Sequence, residues 1–141
     1  MEEQLKTRLR QAKLRATPHR IRILALLEQE ARPLSHLDIL QSVTEFKLDR
    51  VTLYRILASL TEAGIVHQVQ GTDGVWRFCA HDESQEKCPG GHPHLLCEKC
   101  GTMMCLNHIR MQHVDVPNDF EVHHKQLLIV GICPKCKNSR E

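Results

Sequence analysis

Apolar residues recur at helical spacing through the first thirty positions and predict two helices. The first helix, over residues 2–14, has its apolar stripe at Leu5, Leu9 and Ala12. Thr17 followed by Pro18 is typical of a helix start, because a hydroxyl caps the first turn and proline suits the first helical position. A second helix therefore covers about 18–30. Its buried stripe is Ile21, Leu24 and Leu27.

Two further helices follow, each with a capping signal. Ser35 and Asp38 form a capping-box pattern that opens a third helix, whose expected buried residues are Leu37, Leu40 and Val43. Asp49 can cap a fourth helix over 50–63, which Gly64 ends. Its apolar face comprises Leu53, Ile56, Leu57 and Leu60. Its outer face comprises Arg50, Val51, Thr52, Tyr54, Arg55 and Ser59.

A two-stranded hairpin follows the helices, with strands over 65–69 and 75–78 and a turn at 71–74. Helices followed by a β-hairpin are in the order of a winged helix. The basic outer face of the fourth helix has two interpretations: a solvated surface, or a recognition helix in the second position of a helix-turn-helix. Because a wing follows, its position favours DNA contact.

The second half has a different pattern. A polar stretch over 82–91 indicates a hinge, and strands are predicted at 94–97, at 102–106 and at the apolar run 127–133, with a helix over 107–115. The prediction is an α+β fold: a winged helix-turn-helix over 1–80, a hinge over 81–91 and a small α/β domain over 92–141. About 60 residues make a thin core, which a structural metal would help to stabilise.

Composition separates the two halves further. The formal net charge is only +2, but all seven cysteines lie at or beyond Cys79. The longest apolar run near the C-terminus has seven residues, too short to span a membrane, and no secretory signal is recognisable, so we expect a cytoplasmic protein. Thiols in that compartment stay reduced and an odd number cannot pair completely, so metal binding is favoured over a disulfide framework.

Two CxxC motifs are the strongest metal signal. They lie 32 residues apart and comprise Cys97, Cys100, Cys133 and Cys136. Two residues between thiolates let both sulfurs reach one tetrahedral ion, and the adjacent Gly101 and Pro134 help the backbone to turn, so the motifs predict a closed four-thiolate zinc site. Two separate redox pairs are the alternative. It is weaker because neither motif is expected to open a helix in a thioredoxin-like context.

A second site is predicted between the halves. His92 and His94 alternate in a strand and so face the same side, where two imidazoles could bind one ion. His67 and Cys79, from the wing, could complete a sensing site. Cys105 and His124 are possible further ligands. The remaining histidines and cysteines in this half, including Cys88 and His123, have no assigned role.

The motifs occur in a recognisable order along nearly the whole chain. They are Leu14-Arg15-Ala16-Thr17-Pro18-His19-Arg20, Asp49-Arg50-Val51-Thr52-Leu53-Tyr54-Arg55, His92-x-His94-x-x-Cys97-x-x-Cys100-Gly101 and Gly131-x-Cys133-x-x-Cys136. This order resembles the ferric uptake regulator (Fur) family of bacterial metal-responsive repressors. The resemblance implies a homodimer, joined through its C-terminal domain, that binds double-stranded operator DNA when a regulatory metal is bound. It places structural zinc at the CxxC pairs and regulatory metal at the second site.

The resemblance also implies roles for individual residues. It implies that Tyr54 and Arg55 lie on the recognition helix and that Arg15 approaches the minor groove and phosphates. Arg50 and Thr52, on the same outer face of the fourth helix, are the other predicted DNA-binding residues. Cys105 falls eight residues past Cys97, where many members carry an acidic ligand. Thiolates favour Zn(II) over Fe(II) or Mn(II), so the chain is most similar to the zinc uptake regulator (Zur) branch. An iron- or peroxide-sensing branch and a thiol redox switch remain alternatives. No HExxH or comparable arrangement indicates an enzyme.

Overall fold

Local capping signals set the boundaries of the helical half. The computed structural model describes residues 2–30, 32–45, 47–80, 93–106, 109, 114–123 and 125–139. Its first four helices are α1 (Glu2–Gln11), α2 (Pro18–Glu30), α3 (His36–Ser42) and α4 (Arg50–Glu62). None of the helices within these ranges has the length and apolar character needed to cross a bilayer.

Three predicted helix starts are confirmed by hydrogen bonds. The backbone N–H of Arg20 donates to the Thr17 hydroxyl at 3.3 Å, at the start of α2. At α3, the N–H of Asp38 donates to the Ser35 hydroxyl at 3.1 Å, and the N–H of Ser35 donates back to the Asp38 carboxylate at 3.0 Å. Asp49 caps α4. These local interactions satisfy amide groups that have no partner within the first turn of a helix.

Two details of the helices differ from the prediction. α1 ends at Gln11 rather than at residue 14, because Lys13 has a positive φ of 63° and the N–H of Leu14 donates back to the carbonyl of Leu9. In α3 the core residue is Ile39, whereas Leu37 is 57% exposed and lines an apolar groove against α4. A helix of seven residues has too few turns for its apolar spacing to identify the buried side.

The wing is a three-stranded sheet, here called the first sheet. It contains β1 (Leu34–Ser35), β2 (His67–Gln70) and β3 (Trp76–Cys79) in the order β1-β3-β2, with both pairs antiparallel. The sequence predicted the hairpin of β2 and β3, one or two residues earlier in the chain. It did not predict β1, whose two residues are too few to show alternation. The winged helix is otherwise as expected.

The second sheet contains β4 (His94–Cys97), β5 (Met103–Cys105) and β6 (Leu128–Gly131). Their order is β5-β4-β6, with β4 antiparallel to β5 and parallel to β6. A short helix, α5 (Pro134–Asn138), follows and was not predicted. The hinge at 81–91 and most of the helix predicted at 107–115 lie outside the described residues, and described positions 109, 114 and 115 are not helical.

The two sheets meet through the wing. Val69 from β2 packs with Leu96 and Met103 from the second sheet, and all three side chains are buried. Beside them, the N–H of Gln70 donates to the Gln126 side chain at 3.1 Å, and the Gln126 amide donates to the carbonyl of Gln70 at 2.7 Å. This contact holds the hairpin of β2 and β3 beside the second sheet. The α+β fold predicted from the sequence is confirmed.

Candidate metal centres and nucleic-acid surface

The two CxxC motifs converge on one point. The sulfur atoms of Cys97, Cys100, Cys133 and Cys136 all lie within 4.8 Å of one another; we call this set the four-thiol group. Cys97 ends β4, the following turn closes at Gly101 with a φ of +79°, and Cys133 precedes the first residue of α5. One sulfur contact crosses between the motifs, with 3.8 Å between the Sγ atoms of Cys100 and Cys133.

Backbone amides polarise this group. The N–H groups of Cys100 and Cys133 donate to the sulfur of Cys97 at 3.5 and 3.3 Å and lower the pKa of Cys97 to about 6. The Thr102 side chain, 3.3 Å from the sulfur, lowers the pKa of Cys100. Hydrogen bonding to Cys133 and its other thiol neighbours raises the pKa of Cys136 to about 12.

Four thiolates this close together would repel one another, so a cation among them favours the ionised form of all four sulfurs. Four thiols within reach of one point, with amides directed at a sulfur, fit a tetrahedral soft ion such as Zn(II). The second CxxC motif does open a helix, although no strand follows that helix within the described residues to make a thioredoxin-like arrangement. That helix has five residues, and its cysteines face those of the other motif rather than forming a separate pair.

A second group joins the wing to the second sheet. The ligand atoms of Cys79, His94 and Cys105 lie within 4.8 Å of one another; we call this set the interface group. Cys79 ends β3, while His94 and Cys105 lie opposite each other on β4 and β5. Cys79 and His94 are buried and Cys105 is half-buried. Two thiols and an imidazole fit a soft or borderline metal ion.

Other predicted ligands have different positions. His67 lies opposite Cys79 in the first sheet, yet the structure does not place it in the interface group. Cys105, only a possible ligand from the sequence, does belong to it. His92, His124 and Cys88 lie outside the described residues, and His123 is exposed.

The predicted DNA-binding residues lie mostly at the surface. Arg50, Tyr54 and Arg55 are exposed on α4, and Arg15 is exposed just before α2. Thr52 is half-buried, and its N–H donates to Asp49 at 2.8 Å. Hydrogen bonds from Thr52 are the main cause of the lowered pKa of Asp49. Through this N–H, Thr52 takes part in the cap that Asp49 provides for the helix that carries the other residues.

Two further residues with notable contacts or burial, His36 and Arg77, were not identified from the sequence. The imidazole of His36 stacks on the ring of Tyr54, with centroids 5.7 Å apart and planes 16° apart, and lies edge-on to Phe78 at 5.1 Å. Burial lowers the pKa of His36, which favours the neutral ring. Arg77 is almost fully buried at 4% exposure, although it occurs in a wing strand. Residue spacing along the chain predicts neither the stacking of His36 nor the burial of Arg77.

Comparison with known proteins identifies a relationship over most of the chain. The model of the ferric uptake regulator family matches residues 11–130. The ferric uptake regulation protein of Bacillus subtilis is 30% identical, and the alignment covers 99% of this chain and 95% of that protein. The peroxide-responsive repressor PerR of Staphylococcus epidermidis is 29% identical, with 92% and 85% covered.

A solved structure supports the fold. The structure of a zinc uptake regulator complexed with zinc and DNA matches with a TM-score of 0.65 at 22% identity, covering 97% of this chain and 93% of that chain. At this identity the likeness concerns the fold alone. Together with the family match and the geometry above, it leads to one conclusion: the chain belongs to the ferric uptake regulator family of metal-responsive, DNA-binding transcription regulators.

Proposed function

We propose that this protein is a zinc-sensing transcriptional repressor that binds operator DNA as a homodimer. The observation that carries the proposal is the interface group, in which Cys79 from the wing meets His94 and Cys105 from the second sheet within 4.8 Å. A ligand shared by two parts of a protein favours the arrangement in which its donors are together. Zinc bound there would therefore select one placement of the wing.

The donor set supports zinc over other metals. Two thiols and an imidazole suit Zn(II), whereas Fe(II) and Mn(II) regulators rely more on nitrogen and oxygen donors. Cys105 is the residue that makes this site soft. His67 and His92 remain proposed ligands of the same sensing site, and His124 a possible further ligand, since three donors leave a tetrahedral position to fill.

The four-thiol group is the proposed structural zinc site. Its donors come from residues 97–136 alone, so the wing contributes none of them. The N–H groups directed at Cys97 stabilise the thiolate form that a metal requires. We assign it a constant role: holding the turn after β4 against the start of α5.

Once the wing is placed, most of the residues that would contact DNA lie on α4. Arg50, Tyr54 and Arg55 present one exposed basic and aromatic surface on α4, and the helix in this position of a helix-turn-helix enters the major groove. Thr52 and Arg15 are proposed further contacts. When bound, zinc supplies a tetrahedral centre that holds its ligands at fixed distances.

The second sheet offers a surface for the proposed homodimer. Ile129 and Val130 are exposed on the edge strand β6, at 47% and 39%. Exposed apolar edge strands are typical sites of association with another chain. Free thiols of this kind suit a reducing compartment, and we therefore place the repressor in the cytoplasm, with DNA and a second copy as its partners.

The test is DNA binding titrated with buffered Zn(II), Fe(II) and Mn(II). The probe is a duplex selected by the wild-type protein from a random-sequence pool, at fixed salt because phosphate contacts make the affinity salt-dependent. We expect Zn(II) to activate binding at the lowest free concentration. Cys79→Ser and Cys105→Ser should lose this response, whereas Gln68→Ser, exposed on the adjoining strand, should keep it.

Two results would count against the proposal. An unchanged zinc response in both cysteine variants would remove the interface group from sensing. Stronger activation by Fe(II) or Mn(II) would instead favour the iron- or peroxide-responsive function named for the relatives at 30% and 29% identity.

A further inference from the structure

The buried side chain of Arg77 spans the wing and the four-thiol group. On the wing side, its guanidinium donates to both oxygens of Asp73, at 3.2 and 2.8 Å, and to the carbonyl of Val75 at 3.3 Å. On the other side, it donates to the carbonyl of Gly101 at 2.9 Å. Gly101 directly follows Cys100, so one arginine connects the wing turn to the turn that closes around the thiols.

The wing is shaped to hold this arginine in place. Asp73 Oδ1 also accepts from the N–H of Val75 at 3.0 Å, which fixes the carboxylate within the turn. A Cβ atom at Gly71 would lie 2.5 Å from the Arg77 guanidinium and 2.6 Å from Asp73, too close for any other residue without displacement. The turn therefore closes tightly over the ion pair, and the guanidinium has a defined direction.

The accepting carbonyl is equally well defined. Gly101 has a φ of +79°, and its N–H donates to the carbonyl of Cys97 at 2.9 Å. Cys97 in turn accepts N–H groups from both CxxC motifs. The direction of the Gly101 carbonyl thus depends on the same turn that brings the four thiols together.

Burying a guanidinium costs desolvation free energy, so its hydrogen-bond partners decide whether the buried position is stable. Removing a charge from water is unfavourable unless hydrogen bonds and an opposite charge compensate. Asp73 supplies the charge, and its pKa is lowered mainly by the hydrogen bond from Arg77, so it stays ionised near neutral pH. If the turn at Gly101 moved away, the guanidinium would lose a charge-assisted hydrogen bond, and the wing would lose its connection to the metal centre.

We propose that Arg77 is a positioning residue that holds the wing on the four-thiol group, so that a filled structural site is required for DNA binding although it does not sense. The inference rests on the proposed DNA-binding function. This inference assigns the structural metal a second role. The turn that the metal holds, which ends at Gly101, is the surface against which Arg77 orients the wing.

The experiment compares wild type with Arg77→Met, which keeps an unbranched, flexible side chain and removes every donor. The control is Arg32→Met, which removes one positive charge from a half-buried arginine outside the wing, paired with Glu30. Three quantities are measured: zinc content, emission of Trp76 with and without chelator, and affinity for the selected duplex. Trp76 is the chain's single tryptophan and adjoins Arg77 on β3.

We expect Arg77→Met to keep the wild-type zinc content but to bind the duplex about tenfold more weakly, the order of effect of one charge-assisted hydrogen bond. Removal of zinc should shift the Trp76 emission of wild type and of Arg32→Met, and should shift that of Arg77→Met by less than half as much. If Arg77→Met does not fold, Arg77→Lys replaces it, because a lysine ammonium keeps the charge but cannot bridge both partners as the planar guanidinium does.

The proposal is overturned if the arginine variant with full zinc content binds DNA within twofold of wild type and shows the full emission shift. The emission measurement contains no DNA. Its result is therefore independent of the proposed repressor function, which fails separately if wild type shows no metal-dependent binding to any selected duplex.

Discussion

Removal of zinc from the four-thiol group should unfold the second sheet and leave the helices intact. Among the described residues, the core at this sheet contains three fully buried apolar side chains, Val69, Leu96 and Met103. At about 1.5–3 kcal/mol each, they contribute roughly 5–9 kcal/mol. Ordering three strands of four, three and four residues costs roughly 11–22 kcal/mol, at about 1–2 kcal/mol per residue.

A structural zinc changes this balance. Binding to four thiolates contributes about 10–16 kcal/mol at neutral pH, which brings the stabilising total to roughly 15–25 kcal/mol. The sheet is then stable by only a few kcal/mol, and without the metal it is not stable. The helical core is independent of this balance, because it buries sixteen residues of its own and contains none of the thiol ligands of this group.

Hydrogen exchange followed by mass spectrometry gives the direct measurement. After treatment with a strong chelator, amides of residues 94–97 and 128–131 should exchange at rates close to those of an unfolded chain, while those of α2 and α4 stay protected. Cys133→Ser should behave like chelator-treated wild type. Cys79→Ser should keep protection in the second sheet. Retained protection of residues 94–97 in protein shown to be free of metal would refute the reasoning.

Three further predictions concern the DNA-binding surface and the sensing site. Asp49→Ala should lower the free energy of unfolding at neutral pH, because it removes the cap of α4. Since the pKa of Asp49 is lowered, this difference should disappear as pH falls through that lowered value, which urea titrations at several pH values can measure. His36→Ala should weaken duplex binding several-fold by releasing Tyr54 from its stack, and His36→Phe should restore it. Cys105→Asp should shift the metal that activates DNA binding from Zn(II) toward Mn(II), as measured by the buffered-metal titration.

Much of the helical half was predictable because its signals are local. A hydroxyl before proline at Thr17, the capping box at Ser35 and the carboxylate at Asp49 each act within one turn of chain, and each cap occurs in the structure. The failures arise where longer-range packing decides. The early end of α1 at Lys13 and the two-residue strand β1 depend on what the rest of the chain packs against them.

The same distinction between local signals and long-range packing separates the four-thiol group from the interface group. Two CxxC motifs specify four donors by spacing alone, and the fold brings all four together. The interface group depends on how the wing meets the second sheet, which spacing along the chain does not show. The sequence named His67, Cys79 and His94 as ligands and Cys105 only as a possible one, whereas cross-strand pairing places Cys105 opposite His94. Arg77 was missed because a charged residue in a strand gives no sign that its partner lies 24 residues away.

The origin of the ligands indicates which group can act as a switch. The four-thiol group takes all its donors from one unit, so the position of the wing affects its metal affinity only indirectly, through the hydrogen bond from Arg77 to the Gly101 carbonyl. The interface group takes Cys79 from the wing and its other donors from the second sheet, so its affinity must depend on where the wing lies. Because such coupling is reciprocal, metal at the interface group must also bias the position of the wing and of α4 packed behind it. A sensing site requires this direct dependence of its metal affinity on the position of the wing, because one of its ligands moves with the wing.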